Sequence, residues 1–151
     1  MKNTREVLLE VIKDVLERFA FMFTEAEEGA SASVGTDDGL RATIEFRGKY
    51  SGILTLMAPR GLCGEMAANV LGIEAEQIGE TAGEDTLREL LNIICGTVTW
   101  SLYGDREVFH LTVPVVTKID ADEREKLRAN ESSALLIVEG RPVLANLKLI
   151  E

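Results

Sequence analysis

The chain has 151 residues, a length that fits one domain with a single hydrophobic core. Apolar residues make up 46% of the sequence and charged residues 28%, a balance that excludes a disordered chain. The formal net charge of −10 opposes contact with phosphate backbones and anionic lipids, so neither nucleic acid nor a membrane surface is an expected partner.

Residues 3–23 are predicted to form the first helix. Asn3 and Glu6 are spaced for a capping box at its start. Apolar residues then recur at helical spacing on one face, which is expected to pack in the core: Leu8, Val11, Ile12, Val15, Leu16, Phe19 and Phe23. This acidic, amphipathic start does not resemble a targeting peptide, and no apolar run reaches the roughly 18 residues of a membrane span, so a cytoplasmic protein is expected.

A β-hairpin is predicted after the first helix. Residues 25–39 are acidic and rich in small residues, and are expected to contain a loop. Two alternating stretches, 40–46 and 50–57, follow on either side of Arg47-Gly48-Lys49, which indicates a hairpin. The second stretch has little polar face, so it is expected to be a central strand.

Residues 59–71 are predicted to form a second helix. Pro59 suits the first turn of a helix, and Gly72 suits its C-cap. The expected apolar face of this helix consists of Leu62, Met66, Val70 and Leu71. Residues 73–83 are then expected to be a polar connection.

A long helix is predicted from about Glu84 to Tyr103. Residues 106–117 are then predicted to form a strand with an edge or bulge at Pro114. Residues 120–130 are predicted to form a short charged surface helix. The last element is a hairpin of strands 134–138 and 143–150 around Gly140-Arg141-Pro142. This order of elements predicts a single α+β domain over residues 1–151, with an antiparallel β-sheet and two long helices packed on it.

The helix 84–103 has two faces of different composition. Its core face consists of Leu87, Leu90, Leu91, Ile94 and Val98. The opposite face holds Asp85, Glu89, Asn92, Gly96 and Thr99, within roughly 100° of arc. Asparagine is a mediocre helix former, and a glycine costs about 1 kcal/mol relative to alanine in a helix interior. Two unfavourable choices on one exposed face indicate a constraint other than helix stability.

Glu89 and Asn92 are neighbours on this face and are expected to project together. A carboxamide can orient a water molecule through its donors and acceptors, and without charge it does not repel a phosphoryl group. The pair therefore suggests that Asn92 positions a water and that Glu89 docks on a cation of a partner. Glu-x-x-Asn alone is a weak motif, however, and from these two residues alone an ordinary solvated face with an incidental asparagine is the favoured interpretation. Asp85 is also explained by its place near a helix N-terminus.

The longer pattern Asp85-x3-Glu89-x2-Asn92, with Gly96 one turn later and Pro114 near the following strand, resembles the signature of the CheC, CheX and FliY phosphatases. The gap of 21 residues between Asn92 and Pro114 is one residue shorter than in the family pattern.

The resemblance extends over residues 1–151, with one motif helix as in CheX. The stretch from Gly48 to Gly52 and its following apolar residues resemble a Gly-x-x-x-Gly strand of the family. Arg88 departs from the smaller residues that family members often carry there, and it borders the face that would dock a partner.

The resemblance implies a protein phosphatase that hydrolyses the phosphoaspartate of a CheY-type response regulator, in chemotaxis or other two-component signalling. It assigns catalysis to Glu89, which contacts a receiver lysine, and Asn92, which places the attacking water. The other positions assigned to partner docking are Asp85, Arg88, Gly96 and Thr99. The receiver keeps its own Mg²⁺, so no metal or cofactor of this chain is expected, and a homodimer is implied.

Two other functions remain open: a non-catalytic module of the same fold that binds a receiver, and a dimerisation domain without a receiver. Trp100 and Phe21 could face a partner, but core or dimer packing is the favoured expectation for both. Cys63 and Cys95 are expected to be small buried hydrophobic residues and not a disulfide. With His110 as the single histidine, the sequence offers no metal-ligand cluster.

Overall fold

The computed structural model describes residues 3–27, 39–130 and 133–150. The elements in these ranges are α1 (Thr4–Phe19), β1 (Thr24–Glu27), β2 (Gly39–Arg47), β3 (Ser51–Pro59), α2 (Arg60–Leu71), α3 (Ala82–Tyr103), β4 (His110–Leu111), β5 (Val115–Ile119), α4 (Ala121–Ala129), β6 (Ser133–Val138) and β7 (Arg141–Ile150). A short 3₁₀ turn, Ala75–Gln77, lies in the connection before α3. The strands form one antiparallel sheet in the order β1-β6-β7-β3-β2-β4, with β5 also paired to β2. The predicted α+β class is therefore confirmed.

Helix α1 begins as predicted and ends earlier. The Asn3 side chain accepts a hydrogen bond from the Glu6 backbone N–H at 2.8 Å and donates one to the Glu6 carboxylate at 3.2 Å. The helix stops at Phe19, and Phe21 takes a left-handed backbone conformation with a φ of 54°. Phe19, the last residue of the helix, and Phe23, which lies beyond this turn, are 47% and 61% exposed, so the prediction that they lie on the core face is wrong. Phe21 is also exposed, which excludes it from the core, while dimer packing stays a prediction.

The first hairpin agrees with its prediction. Strands β2 and β3 pair antiparallel through eight positions, from Gly39 opposite Pro59 to Phe46 opposite Gly52. β3 also pairs with β7, so it is a central strand, as expected. Of the range 25–39, in which a loop is predicted, residues 25–27 belong to β1 and Gly39 begins β2, while residues 28–38 lie outside the described ranges.

Helix α2 follows β3 directly. Pro59 is the N-cap residue of the helix, one position before the predicted place, and Gly72 is the left-handed C-cap, with a φ of 69°. The predicted apolar face is wrong at Val70 and Leu71, which are exposed because the last turn of the helix extends beyond the core cluster. The buried residues of the helix are Leu62, Cys63, Met66, Ala67 and Ala68.

The elements after α3 confirm some of the sequence predictions and correct others. Pro114 separates β4 from β5, so the predicted interruption of this strand is confirmed. Helix α4 is capped by Asp120, whose side chain accepts from the Glu123 N–H at 2.9 Å. The last hairpin turns at Glu139 and Gly140, which have φ values of 48° and 76°. Arg141, predicted to lie in this turn, is already part of β7.

The main core lies between one face of the sheet and helices α1, α2 and α3. Helix α3 contacts both α1 and α2, and it is therefore the central helix of this layer. A smaller cluster on the other face of the sheet lies beneath α4 and consists of Met57, Ile119, Leu135 and Leu144, with Leu127 packed against it. Among the residues that the structure describes, no helix combines the length and the apolar character of a membrane span.

The two cysteines are buried and free, as predicted. Cys63 lies in α2 and Cys95 in α3, and both belong to the main core. Burial raises the pKa of each thiol to about 12, because a thiolate would lose its hydration there. Both residues therefore serve as small apolar side chains.

Candidate functional site

Helix α3 is held close to its neighbours at both ends. Near its start, a Cβ added at Gly83 would lie 3.3 Å from the backbone of Cys63 and Gly64, so the glycine allows α2 to approach closely. At its end, the Tyr103 ring stacks on Tyr50, with centroids 4.2 Å apart and planes 5° from parallel. These contacts fix the position of α3 relative to the elements packed against it.

The core face of α3 is the predicted one. Its residues are each no more than 2% exposed: Leu87, Leu90, Leu91, Ile94 and Val98. Burial of this stripe fixes the rotation of the helix about its axis, so the opposite face points outward. Asp85, Glu89 and Asn92 are exposed on that outward face.

Glu89 and Asn92 are three residues apart, so they are neighbours on the helix surface, with Cβ atoms about 5–6 Å apart. Neither side chain forms a hydrogen bond or an ion pair with any residue in the described ranges. The carboxylate and the carboxamide are therefore available to a partner without first breaking a contact.

Asp85 and Arg88 form an ion pair in the first turns of α3. The Arg88 guanidinium donates to the Asp85 carboxylate at 2.8 Å. Asp85 also lies where the helix dipole favours an acidic residue. An exposed pair of this kind adds little stability. A docking role for these two residues stays a prediction, and a partner would meet them as a pair.

Gly96 and Thr99 differ in their exposure to solvent. Gly96 is partly exposed, and a Cβ added there would meet no other atom within 4 Å. Thr99 is only 4% exposed, and its hydroxyl donates to the Gly96 carbonyl at 3.0 Å. The prediction that Thr99 lies on an exposed face is therefore wrong. The chain after α3 returns beside the last turns of the helix, where Phe109 lines the same pocket as Thr99.

This shallow pocket, which we call the α3 end pocket, has a volume of about 240 Å³. It is lined by Gly96, Thr99, Trp100, Gly104, Asp105, Glu107, Phe109 and Leu111. Trp100 is 61% exposed, which excludes it from the core, while dimer packing or a partner contact stays a prediction. The spacing offers a signal for this: Trp100 is two residues beyond Val98, which rotates it roughly 200° from the core stripe.

Gly96→Ala is expected to raise the free energy of unfolding by about 1 kcal/mol, because it removes a glycine from a helix interior where a methyl group has space. Urea unfolding of both proteins would measure the change. Gly83→Ala in the same helix is the matched control, and the crowding there should prevent a similar gain. A loss of stability in Gly96→Ala would show that this glycine is needed for the fold itself.

In the described ranges, no group of three or more histidine, cysteine, aspartate or glutamate residues is placed to bind a metal. The outward face of α3 presents the Glu89 carboxylate and the Asn92 carboxamide side by side. Such a surface can bind a cation and orient a water or a polar ligand.

Residues 40–137, about two thirds of the chain, match the sequence profile of the family described as "Chemotaxis phosphatase CheX". This chain belongs to the CheX family. The matched range contains all of α3, and with it Glu89 and Asn92. The family resemblance drawn from the motif is thus confirmed, whereas the roles of the individual residues are not tested by this match.

Solved CheX structures share the fold. CheX from Vibrio vulnificus has a TM-score of 0.73 at 16% identity, with 99% of this chain and 97% of that chain covered. CheX from Desulfovibrio desulfuricans has a TM-score of 0.69 at 14% identity, with 97% and 99% covered. The CheX of a CheX–CheY complex with BeF3 and Mg²⁺, from Borrelia burgdorferi, has a TM-score of 0.66 at 15% identity, with 99% of both chains covered. A comparison with curated protein sequences returned no match.

Proposed function

We propose that this CheX-family protein hydrolyses the phosphoaspartate of a CheY-type response regulator. The observation that carries the proposal is the pair Glu89 and Asn92, which is exposed, without partners in the described chain, and carried on a helix packed at both ends. The receiver would supply the phosphoryl group, and this chain would supply the group that orients water.

Asn92 is the proposed catalytic residue. Its amide would enter the receiver's site and hold a water molecule in line with the bond between phosphorus and the aspartate oxygen. Because the carboxamide is uncharged, it can approach the phosphoryl oxygens without electrostatic repulsion. The attack forms a phosphorus–oxygen bond to the water, breaks the bond to aspartate and releases inorganic phosphate.

Glu89 is the proposed docking residue. Its exposed carboxylate can pair with a lysine at the receiver's site, and the contact would hold Asn92 in register one turn further along α3. Asp85, Arg88 and Gly96 would lie under the same partner, with Thr99 contributing only to the floor of the α3 end pocket.

The expected metal belongs to the receiver. Mg²⁺ bound there would neutralise charge on the phosphoryl group, while the described residues of this chain offer no cluster for it. The related structure from Borrelia burgdorferi is a complex of CheX with CheY, BeF3 and Mg²⁺, which supports a receiver as the partner. A cytoplasmic location and a homodimer belong to the same proposal.

The test is the decay of a phosphorylated CheY-type receiver from the same genome, with Mg²⁺ present and this protein at substoichiometric amounts. Wild type should shorten the lifetime of the phosphorylated receiver. Glu89→Ala should raise the receiver concentration needed for half-maximal rate by at least about 30-fold, since truncating one partner of a buried interfacial charge pair costs about 2 kcal/mol or more.

Glu125→Ala, at an exposed glutamate on α4, is the matched control and should behave as wild type. If wild type binds the receiver and leaves its lifetime unchanged, the protein is a non-catalytic binding module. If it binds no phosphorylated receiver, the dimerisation domain becomes the better explanation.

A further inference from the structure

The α3 end pocket adjoins the outward face of α3. Gly96 belongs to both surfaces, and Trp100 follows one turn later. With a rise of about 1.5 Å per residue, Trp100 lies about 12 Å beyond Asn92 along the helix axis. A partner that seats its phosphorylated site on Asn92 therefore faces this pocket at short range.

An interface of ordinary size that is centred on Asn92 would include the α3 end pocket. Stable complexes bury about 800 Å² on each partner, which as a round patch extends about 16 Å from its centre. Such a patch centred on Asn92 covers Trp100. A tryptophan that is exposed in the free protein and covered in the complex often contributes a large part of the binding energy, because the complex removes its large apolar surface from water.

The lining of the pocket favours a particular occupant. The exposed indole of Trp100 offers an aromatic face, and Phe109 and Leu111 supply apolar surface. The carboxylates of Asp105 and Glu107 line the same pocket. The carbonyl end of α3, where Gly104 is the C-cap, adds negative partial charge.

These charges are only partly compensated within the chain. Glu107 lies 3.9 Å from the Lys49 ammonium, whereas Asp105 makes no ion pair with any residue that the structure describes. Arg106 lies between them in sequence and does not line the pocket. A purely apolar occupant would leave the Asp105 carboxylate desolvated without a partner. A cation on an aliphatic stem satisfies the carboxylate, the aromatic face and the apolar floor together.

We infer that the α3 end pocket binds an arginine or lysine side chain of the phosphorylated receiver, on the receiver surface beside its phosphorylation site. This inference rests on the proposed function, because it takes the receiver as the occupant. It adds a second cation contact, separate from the one assigned to Glu89, and makes Trp100 and Asp105 determinants of receiver choice.

Trp100 is the single tryptophan of the chain, so its fluorescence reports on the pocket directly. The probe is a CheY-type receiver from the same genome whose own tryptophans are replaced by phenylalanine, carrying a beryllofluoride adduct with Mg²⁺. Binding should shift the Trp100 emission to shorter wavelength, because the indole becomes covered. Trp100→Ala should raise the dissociation constant by about 30-fold, as expected for a central aromatic anchor.

Phe23→Ala is the matched control, since Phe23 is exposed to the same extent and lies outside the pocket. The cation is identified by replacing basic residues around the receiver's phosphorylation site with alanine, one at a time, in cycles with Asp105→Asn. Asp105→Asn should weaken binding of the unchanged receiver. When the basic residue that contacts Asp105 has been replaced, the same substitution should weaken binding by less than about twofold, as expected for two residues in contact. The absence of any coupled pair would overturn the cation assignment.

The outcomes separate this inference from the proposed function. If wild type accelerates receiver decay while Trp100→Ala binds normally and the emission does not move, the pocket is not a docking site and the phosphatase proposal stands. If the emission shifts and Trp100→Ala binds weakly without accelerated decay by wild type, docking is supported and hydrolysis is rejected. If neither effect is seen, both proposals are wrong.

Discussion

Asn92→Ala should lower the maximal rate of receiver dephosphorylation by at least about 100-fold, the usual cost of removing one positioned hydrogen-bonding group from a transition state. The alanine cannot orient a water molecule, so the receiver would decay at close to its own rate. Receiver binding should stay near wild type, because the Glu89 carboxylate remains and the side chain removed is uncharged. Single-turnover decay at saturating protein, beside a separate binding measurement, distinguishes these two effects.

Misfolding would not explain such a loss. Alanine is the better helix former, so Asn92→Ala should unfold at slightly higher urea concentration than wild type. Ser101→Ala, at another exposed polar position of α3, is the matched control and should keep its activity. Asn92→Asp has nearly the same shape but adds a negative charge facing the phosphoryl group, and should also be inactive. Activity within about threefold of wild type in Asn92→Ala would show that another group positions the water.

Gly52→Ala should lower the free energy of unfolding by about 3 kcal/mol, at the upper end of the usual cost of overpacking a core. A Cβ at this position would lie 2.5 and 2.8 Å from carbons of the Phe46 ring and 3.1 Å from the Lys148 carbonyl oxygen. Phe46 is fully buried and meets the Phe109 ring edge-to-face at 5.6 Å, so a shift of its ring would disturb this packing. Urea unfolding should show a lower midpoint with an unchanged slope.

Gly64→Ala is the matched control for this prediction. A Cβ at Gly64, inside α2, would meet no other atom within 4 Å, so the substitution should not destabilise the protein. Replacing the opposing ring gives a second check. Phe46→Leu should lower the free energy of unfolding by less in the Gly52→Ala background than in wild type, because the leucine relieves the clash. If Gly52→Ala is as stable as wild type, the ring cluster must be able to rearrange.

The order of elements could be predicted because each long element carries its own periodic signal. In α3, the five residues of the predicted core stripe are the buried ones, since leucine and isoleucine at helical spacing directly reflect which side faces the sheet. The glycines at positions 48 and 52 also marked a real constraint. A Cβ at Gly48 would lie 2.7 Å from the Val108 carbonyl oxygen, so both glycines permit close packing around the end of α3.

The errors arise where distant parts of the chain decide the outcome. The helical spacing continues past Phe19, but the helix ends there and Phe21 takes a left-handed conformation, of which its residue type gives no sign. Thr99 has the right spacing for the outward face, yet it is only 4% exposed and lines a pocket together with Phe109 and Leu111, which come from a later part of the chain. The α3 end pocket could not be predicted for the same reason, since its lining comes from separate elements.

The separation of α3 into a buried stripe and an outward face has an evolutionary consequence. Substitutions at exposed helix positions usually change stability by no more than about 0.5 kcal/mol, whereas changes in the buried stripe cost several times that amount. If the outward face docks a receiver as proposed, substitutions at exposed positions such as Asp85 and Trp100 could change which receiver is bound while the fold is retained. Duplicated copies of the gene could then acquire different receivers without losing the folded state at any step.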